Sequence, residues 1–412
     1  MKKVASLIVL SVFCVWQVAF AQRTAGESET SDGNPINRST HEIAGRTVLR
    51  YEHEGSDRLG SKAAQKRFFD VVAPKVSRSK HPLLICLHSA GEKTNTEWRS
   101  NVPRIAAAGD DFVGLIPNCN FDTEWWWGHE EIMKDKKKYQ DLLTPTEARI
   151  LAEIEWVVQK YNVDRNRIYM HGISMGGSGT LGIGMSHGDM FAALCAGVPA
   201  GANHMLIRQK GSKDKNPPPA LVFFSQADDW SAEMPLLLKA AEENRYAFIC
   251  AWGPWGHQNH YEMTNPAAFE FPWLSIRRNE AYPVFTNTSS DQKFPGCKSK
   301  EPDQEGQINA YCRWTNMKDQ PNEFAMQIRL VSKAELKNKV QLPNEVVADV
   351  TLRRIQQFKI EPEKEYRWTV ARSGMRKSEG RVKADADGLI TIPGITVSSQ
   401  PLRLTLVSLS QK

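Results

Sequence analysis

The 412-residue chain has 41% hydrophobic and 24% charged residues, which places it among ordinary globular proteins and excludes a disordered chain. That length exceeds what one hydrophobic core usually organises, so two folded units are expected. A formal net charge of +6, from Lys and Arg residues scattered without interleaved aromatics, argues against a nucleic-acid partner.

Lys2 and Lys3 precede an apolar stretch from Val4 to Phe20 and the small-x-small site Ala19-Phe20-Ala21, the layout of an export signal that leaves Gln22 near the mature N-terminus. The stretch is short for a bilayer span and is broken by Gln17, and no later segment has the length and apolarity to cross. The mature chain is therefore expected to be secreted or periplasmic, with no membrane span. Cys14 leaves with the signal, and Cys86, Cys119, Cys195, Cys250, Cys297 and Cys312 then sit in an oxidising compartment. Cys86, Cys195 and Cys250 lie in apolar runs and read as small buried hydrophobes. Cys297 and Cys312 flank a polar stretch and are the pair expected to bridge.

Residues 22–47 are rich in Ser, Thr, Gly, Asn and Glu and read as a flexible lead-in. From Phe68 onward, short apolar runs alternate with helical patterns: strands are expected at Phe68–Val72, Leu83–Leu87, Phe112–Ile116, Arg167–His171, Phe191–Gly197, Ala220–Phe224 and Tyr246–Ala251. Ile150, Ile154, Val157 and Val158 at helical spacing, with Thr144 as cap and Pro145 first, predict a helix over Pro145–Tyr161. The run Lys134–Lys138 reads as a solvated face. After Asn279 the period becomes two, as in Met326, Ile328, Leu330 and in Tyr366, Trp368, Val370. Asp387-Gly388 signals a hairpin. The fold class expected is α/β, a mostly parallel sheet flanked by helices over residues 48–281, followed by a small all-β sandwich over residues 282–412.

Gly172-Ile173-Ser174-Met175-Gly176 stands between a predicted strand and a small-residue helix. A serine exposed on so tight a strand-to-helix turn needs glycines beside it, and this context marks Ser174 as the candidate nucleophile. A hydroxyl needs a base, oriented by a carboxylate, and later strand ends supply both. Asp228 follows Leu221 to Phe224, with Asp229 as its rival, and His257 follows Ala247 to Ala251, with His260 as its rival. The developing oxyanion needs donors: the backbone N–H of Met175 is one, and the turn His88-Ser89-Ala90-Gly91 offers Ala90, then Ser89, as the second. Trp125, Trp126 and Trp127 are candidates for substrate contact, with Trp252 and Trp255 beside His257 as the opposite wall.

These segments resemble the α/β-hydrolases, and within them the secreted polyhydroxybutyrate-depolymerase, feruloyl-esterase and acetylxylan-esterase group. The resemblance covers roughly Arg67 to Asn279 and is carried by Ile85-Cys86-Leu87-His88, Gly172 to Gly176, Ser225-Gln226-Ala227-Asp228 and Trp255-Gly256-His257. The group commonly has Gly where Ser89 stands and His-Gly where Phe224-Ser225 stand. The resemblance implies an α/β-hydrolase fold and a serine esterase working through an acyl-enzyme on a small-molecule or polymer ester, such as an acylated polysaccharide. A prolyl-oligopeptidase-like peptidase and a catalytically silent polymer-binding protein are the alternatives. With no phosphate loop, dinucleotide fingerprint or metal-ligand spacing, neither a cofactor nor a metal is expected.

Overall fold

A computed structural model describes residues 34–54, 66–90, 97–119, 126, 143–211, 216–258, 261–298, 304–374 and 377–409. The expected export signal, Trp125, Trp127, the Lys134–Lys138 run and His260 lie outside them. Residues 35–412 form one compact unit.

The chain enters through a hairpin of β1 (Ile36–Ile43) and β2 (Arg46–Glu54). Its two-residue turn, Ala44-Gly45, has positive φ at both positions, 50° and 68°, matching the twist of the flanking strands. This corrects the reading of residues 22–47 as wholly flexible. No residue of β1 is buried, so no apolar period marks the strand, and main-chain pairing with β2 holds it. Arg38 reinforces that pairing by donating to Glu52 at 2.7 Å.

β3 (Lys66–Val72), β4 (His81–Leu87), β5 (Val113–Pro117), β6 (Val163–Ile173), β7 (Ala193–Gly197), β8 (Ala220–Ser225) and β9 (Phe248–Gly253) complete the main body of a mixed sheet. The spatial order is β1-β2-β3-β5-β4-β6-β7-β8-β9, antiparallel as far as β5 and parallel from β5 onward. β4, β5, β7, β8 and β9 are buried along their whole length, as parallel strands covered on both faces must be. Alternation in β4 divides two cores. Leu83, Ile85 and Leu87 join the side packed by α2 (Pro145–Lys160), while Leu84 and Cys86 face α1 (Glu97–Ala108), whose Val102 and Ile105 they meet. Thr144 caps α2 in a capping box with Glu147, and Pro145 opens the helix. α3 (Met175–Ser186), α4 (Ala202–Gly211) and α5 (Met234–Asn244) also contribute to the first of these cores, and the short α6 (Pro266–Phe269) to the second.

The remaining strands are β10 (Tyr282–Thr286), β11 (Gly306–Ile308), β12 (Cys312–Gln320), β13 (Glu323–Leu330), β14 (Glu345–Arg353), β15 (Glu365–Ala371), β16 (Ser378–Lys383), β17 (Ile390–Ser398) and β18 (Leu402–Ser408). Two antiparallel sheets, β10-β14-β17 and β12-β13-β18-β15-β16, bury Val346, Val350 and Ile392 from one and Phe324, Ile328 and Leu404 from the other in one shared core. β11 instead pairs antiparallel with β9, Gly306 opposite Trp252, so this stretch of the chain completes the first sheet. Arg353 and Arg354, at the end of β14, donate to the main-chain carbonyls of Asn244, Arg245, Gly188 and Phe191. Asp387-Gly388 does turn the chain, with Gly388 at φ 75°, but β16 and β17 belong to different sheets, so the turn is a crossover and not a hairpin.

The expected Cys297–Cys312 bridge is absent, and all six cysteines among the described residues are free. Cys312 opens β12 and is carried into the sandwich core, whereas the Cys297 thiol donates to the Asp228 carbonyl at 2.9 Å. Cys86, Cys195 and Cys250 are buried.

Candidate active site

β6 ends at Ile173 and α3 begins at Met175, leaving Ser174 at the bend with φ 58° and ψ −120°. Residues bearing a Cβ adopt this conformation only at a cost, and the surroundings must enforce it. They do so through hydrogen bonds: Ser174 N–H donates to Gly197 O at 2.9 Å, and Ser174 O accepts from Ser178 N–H at 2.9 Å. A Cβ at Gly172 would lie 2.2 Å from the Gly176 carbonyl oxygen, and one at Gly176 would lie 2.1 Å from that of Leu87. Both glycines are required because strand, helix and the end of β4 meet there. From β2 to β9 the strand order is therefore two antiparallel strands, a swapped pair β5-β4, and a parallel series whose first member, β6, delivers a serine onto a buried helix.

The fold is that of an α/β-hydrolase.

In this α/β-hydrolase frame Ser174 Oγ lies 2.7 Å from His257 Nε2, and His257 Nδ1 lies 2.8 Å from Asp228 Oδ2. Asp228 ends the β8 turn in extended conformation, φ −99° and ψ 123°, and N-caps the 3-10 turn Asp229–Glu233. Its second oxygen, Oδ1, accepts from Trp230 N–H at 3.0 Å, so both carboxylate oxygens are engaged in a residue that is 2% exposed. Asp229 turns to solvent and pairs with Lys298. The His257 side chain is 39% exposed, and the Trp230 ring packs against it with centroids 4.9 Å apart. Reading the sequence for strand ends does not single out Trp230. The signal available was the capping position of Asp228, which puts the residue two places on beside its carboxylate.

Met175 is the first residue of α3, so its N–H belongs to the first turn and has no intrahelical acceptor. The turn Leu87-His88-Ser89-Ala90 lies against that helix start, because Gly176 abuts the Leu87 and His88 carbonyls. Ser89 spends its hydroxyl on the Ile173 carbonyl at 2.9 Å and ties the turn to the elbow. His88 holds the turn from beneath. Its Nε2 accepts from Cys119 N–H at 3.0 Å, so the ring proton is on Nδ1, which donates to Ser89 O at 2.9 Å.

Burial, with a smaller contribution from the Arg149 guanidinium, pushes the His88 pKa down to about 4. Folded His88 therefore binds fewer protons than the unfolded chain between pH 6.5 and about 4, and stability rises with pH through that window. Over those pH values the group accounts for about 3 kcal/mol. Urea unfolding at pH 7 and pH 4.5 is expected to give a shallower pH slope for His88→Gln than for the unaltered protein. Parallel slopes would contradict the assignment.

Trp126, expected at the substrate, is fully buried. Its indole N–H donates to the His88 carbonyl at 3.2 Å, its ring packs edge-on to His88, and Gly179 makes room for it. It supports the turn at His88 and does not face a ligand. Trp252 is likewise buried, stacked on Phe224 in the core. Trp255 is half-buried beside the site, its ring lying over Gly253 and its carbonyl accepting from Ala227 N–H at 3.0 Å. Among the described residues no cluster of three or more His, Cys, Asp or Glu side chains could hold a metal ion, and no helix is long and apolar enough to cross a membrane.

A family model described as the prolyl oligopeptidase family matches residues 129–212, which include the elbow. A search of curated proteins finds no match. Among solved structures, a thermostable esterase is 22% identical with a TM-score of 0.39, covering 52% of this chain and 56% of that one. An S-formylglutathione hydrolase from Staphylococcus aureus is 13% identical with a TM-score of 0.40, covering 52% and 92%. A ferulic acid esterase from Anaeromyces mucronatus is 14% identical with a TM-score of 0.37, covering 57% and 88%. The strand order and the elbow, not these scores, carry the fold assignment.

Proposed function

We propose that this chain is an exported serine hydrolase that cleaves carboxylic esters, with Ser174 as nucleophile, His257 as general base and acid, and Asp228 as the carboxylate that orients the histidine. The observation that carries the reading is the unbroken row from Ser174 Oγ through His257 to Asp228 Oδ2, 2.7 and 2.8 Å per link, on a bend whose φ of 58° projects the serine. As Ser174 Oγ attacks the ester carbonyl, its proton passes to His257 Nε2, and Asp228 stabilises the resulting imidazolium. The oxyanion is met by the N–H groups of Met175 and Ala90. His257 then protonates the leaving alkoxide, and water admitted to the same base releases the acyl group.

The choice of an ester rests on the resemblance of the quoted segments to secreted esterases, with an acylated polysaccharide as the substrate class and Trp125, Trp127 and Trp255 as its contacts. The likeness of residues 129–212 to prolyl oligopeptidases favours a peptidase as the second reading. Assaying purified protein on p-nitrophenyl acetate, a feruloyl ester and proline p-nitroanilide separates the two. The proposal expects ester turnover and stoichiometric labelling of Ser174 by a fluorophosphonate. Peptide turnover without ester turnover favours the peptidase, and an unlabelled Ser174 removes both.

A further inference from the structure

The acid turn Gln226–Asp229 is gripped from two sides. On one side stands the segment that carries His257: Gln226 N–H donates to Gly253 O at 2.8 Å and Ala227 N–H to Trp255 O at 3.0 Å. On the other stands the connection between β10 and β11, which belongs to neither the β8 nor the β9 loop. Phe294 anchors that connection in the hydrolase core, edge-on to Phe224 at 4.9 Å and to Trp252 at 5.5 Å. Beyond it, Gly296 and Lys298 take positive φ, 98° and 49°, and curl the chain onto the turn. Four contacts follow. The Cys297 thiol donates to Asp228 O at 2.9 Å, Lys298 N–H donates to Gln226 O at 3.1 Å, Lys298 Nζ pairs with Asp229, and Gln304 N–H donates to Gln226 Oε1 at 2.9 Å.

We propose that this strap sets the position of the catalytic acid, and that Cys297 and Lys298 are positioning residues for the hydrolytic reaction. The inference rests on the triad reading above. Neither residue touches the reacting atoms. They act through the main chain and the neighbour of Asp228, whose carboxylate must meet His257 Nδ1 at hydrogen-bond distance to hold the ring. Burial, with Asp229 and Asp228 nearby, raises the Cys297 pKa above that of an ordinary thiol, so the group remains a donor at neutral pH. The charged groups at this turn are Asp228, Asp229 and Lys298, with the Trp230 ring closing the face of His257.

Loosening the strap should be read in catalysis before stability. Cys297→Ala is expected to lower kcat about tenfold with KM unchanged, within the ~10²-fold that an ångström of misplacement can cost. A carboxylate held farther away favours the imidazolium less, so the acidic limb of kcat/KM moves to lower pH. Cys297→Ser, which keeps a donor, should restore most of kcat and return the limb. Lys298→Ala, at an exposed ion pair with little bearing on folding, should lower kcat about threefold with KM unchanged, in keeping with the modest worth of such pairs. Wild-type kcat and an unmoved acidic limb in Cys297→Ala, or a loss that serine does not recover, would overturn the proposal. Should Cys297→Ala fail to fold, wild-type kcat in Lys298→Ala overturns it alone. Fluorophosphonate labelling of Ser174 in the unaltered protein tells the two failures apart: it stays intact if only the strap is wrong and disappears if the triad reading is wrong.

Discussion

Ser174→Ala is expected to lower ester turnover by about 10⁶-fold, the scale on which serine hydrolases lose activity with their nucleophile. Alanine keeps the β-carbon, and the main-chain hydrogen bonds to Gly197 and from Ser178 persist. Only the hydroxyl and its 2.7 Å link to His257 are lost. Ser174→Gly separates the chemistry from the conformational cost. Glycine accepts φ 58° without penalty, so this variant should be equally inactive yet more resistant to urea by about 1 kcal/mol. Clean Ser174→Ala protein that hydrolyses a good ester at more than a trace rate would remove the nucleophile assignment.

The second large effect belongs to the acid. Asp228→Asn is expected to cost about 10⁴-fold in turnover, because an amide nitrogen presented to His257 Nδ1 selects the wrong tautomer, while the capping bond from Trp230 N–H can survive on the amide oxygen. Asp229 points to solvent and pairs with the exposed Lys298, so Asp229→Asn should stay within about fivefold of the parent. Matched kcat measurements on both variants, with circular dichroism as the check of folding, decide the matter. A larger loss for Asp229→Asn than for Asp228→Asn would move the acid by one residue.

Sequence patterns carried the parallel strands well because burial on both faces leaves a continuous apolar run, as at Leu83–Leu87 and Ala220–Phe224. The elbow was equally legible, since its requirements are local: a strand, glycines where no Cβ fits, and a serine between them. What depended on distant partners was not. Spacing alone could not separate Asp228 from Asp229, which differ in that the first caps the following turn. Trp126 could not be read as buried without knowing that Gly179 opens a slot for its ring. β1 was hidden because a strand exposed on both faces has no apolar period. The cysteine pair misled because proximity in sequence does not reveal that one thiol faces the acid turn and the other the sandwich core. Asp387-Gly388 specified a turn and left open which sheets it joins.

The pairing of β11 with β9 bears on how the chain could be shortened. β9, Phe-Ile-Cys-Ala-Trp-Gly, is an uncharged, wholly buried strand at the side of the sheet where the parallel series ends. At the opposite side β1 carries Arg38, His41 and Glu42, charges that discourage another strand from adding there. β9 has no such guard of its own, and its outer hydrogen-bonding edge is occupied by Gly306, Gln307 and Ile308. A chain cut after Ala281 would present that edge bare, together with the carbonyls that Arg353 and Arg354 now cover. Such an edge is a template for intermolecular β-addition, so the shortened hydrolase would be recovered as aggregate. β11 and the arginines at the end of β14 thus cover this side of the first sheet together, and a cut after Ala281 removes both.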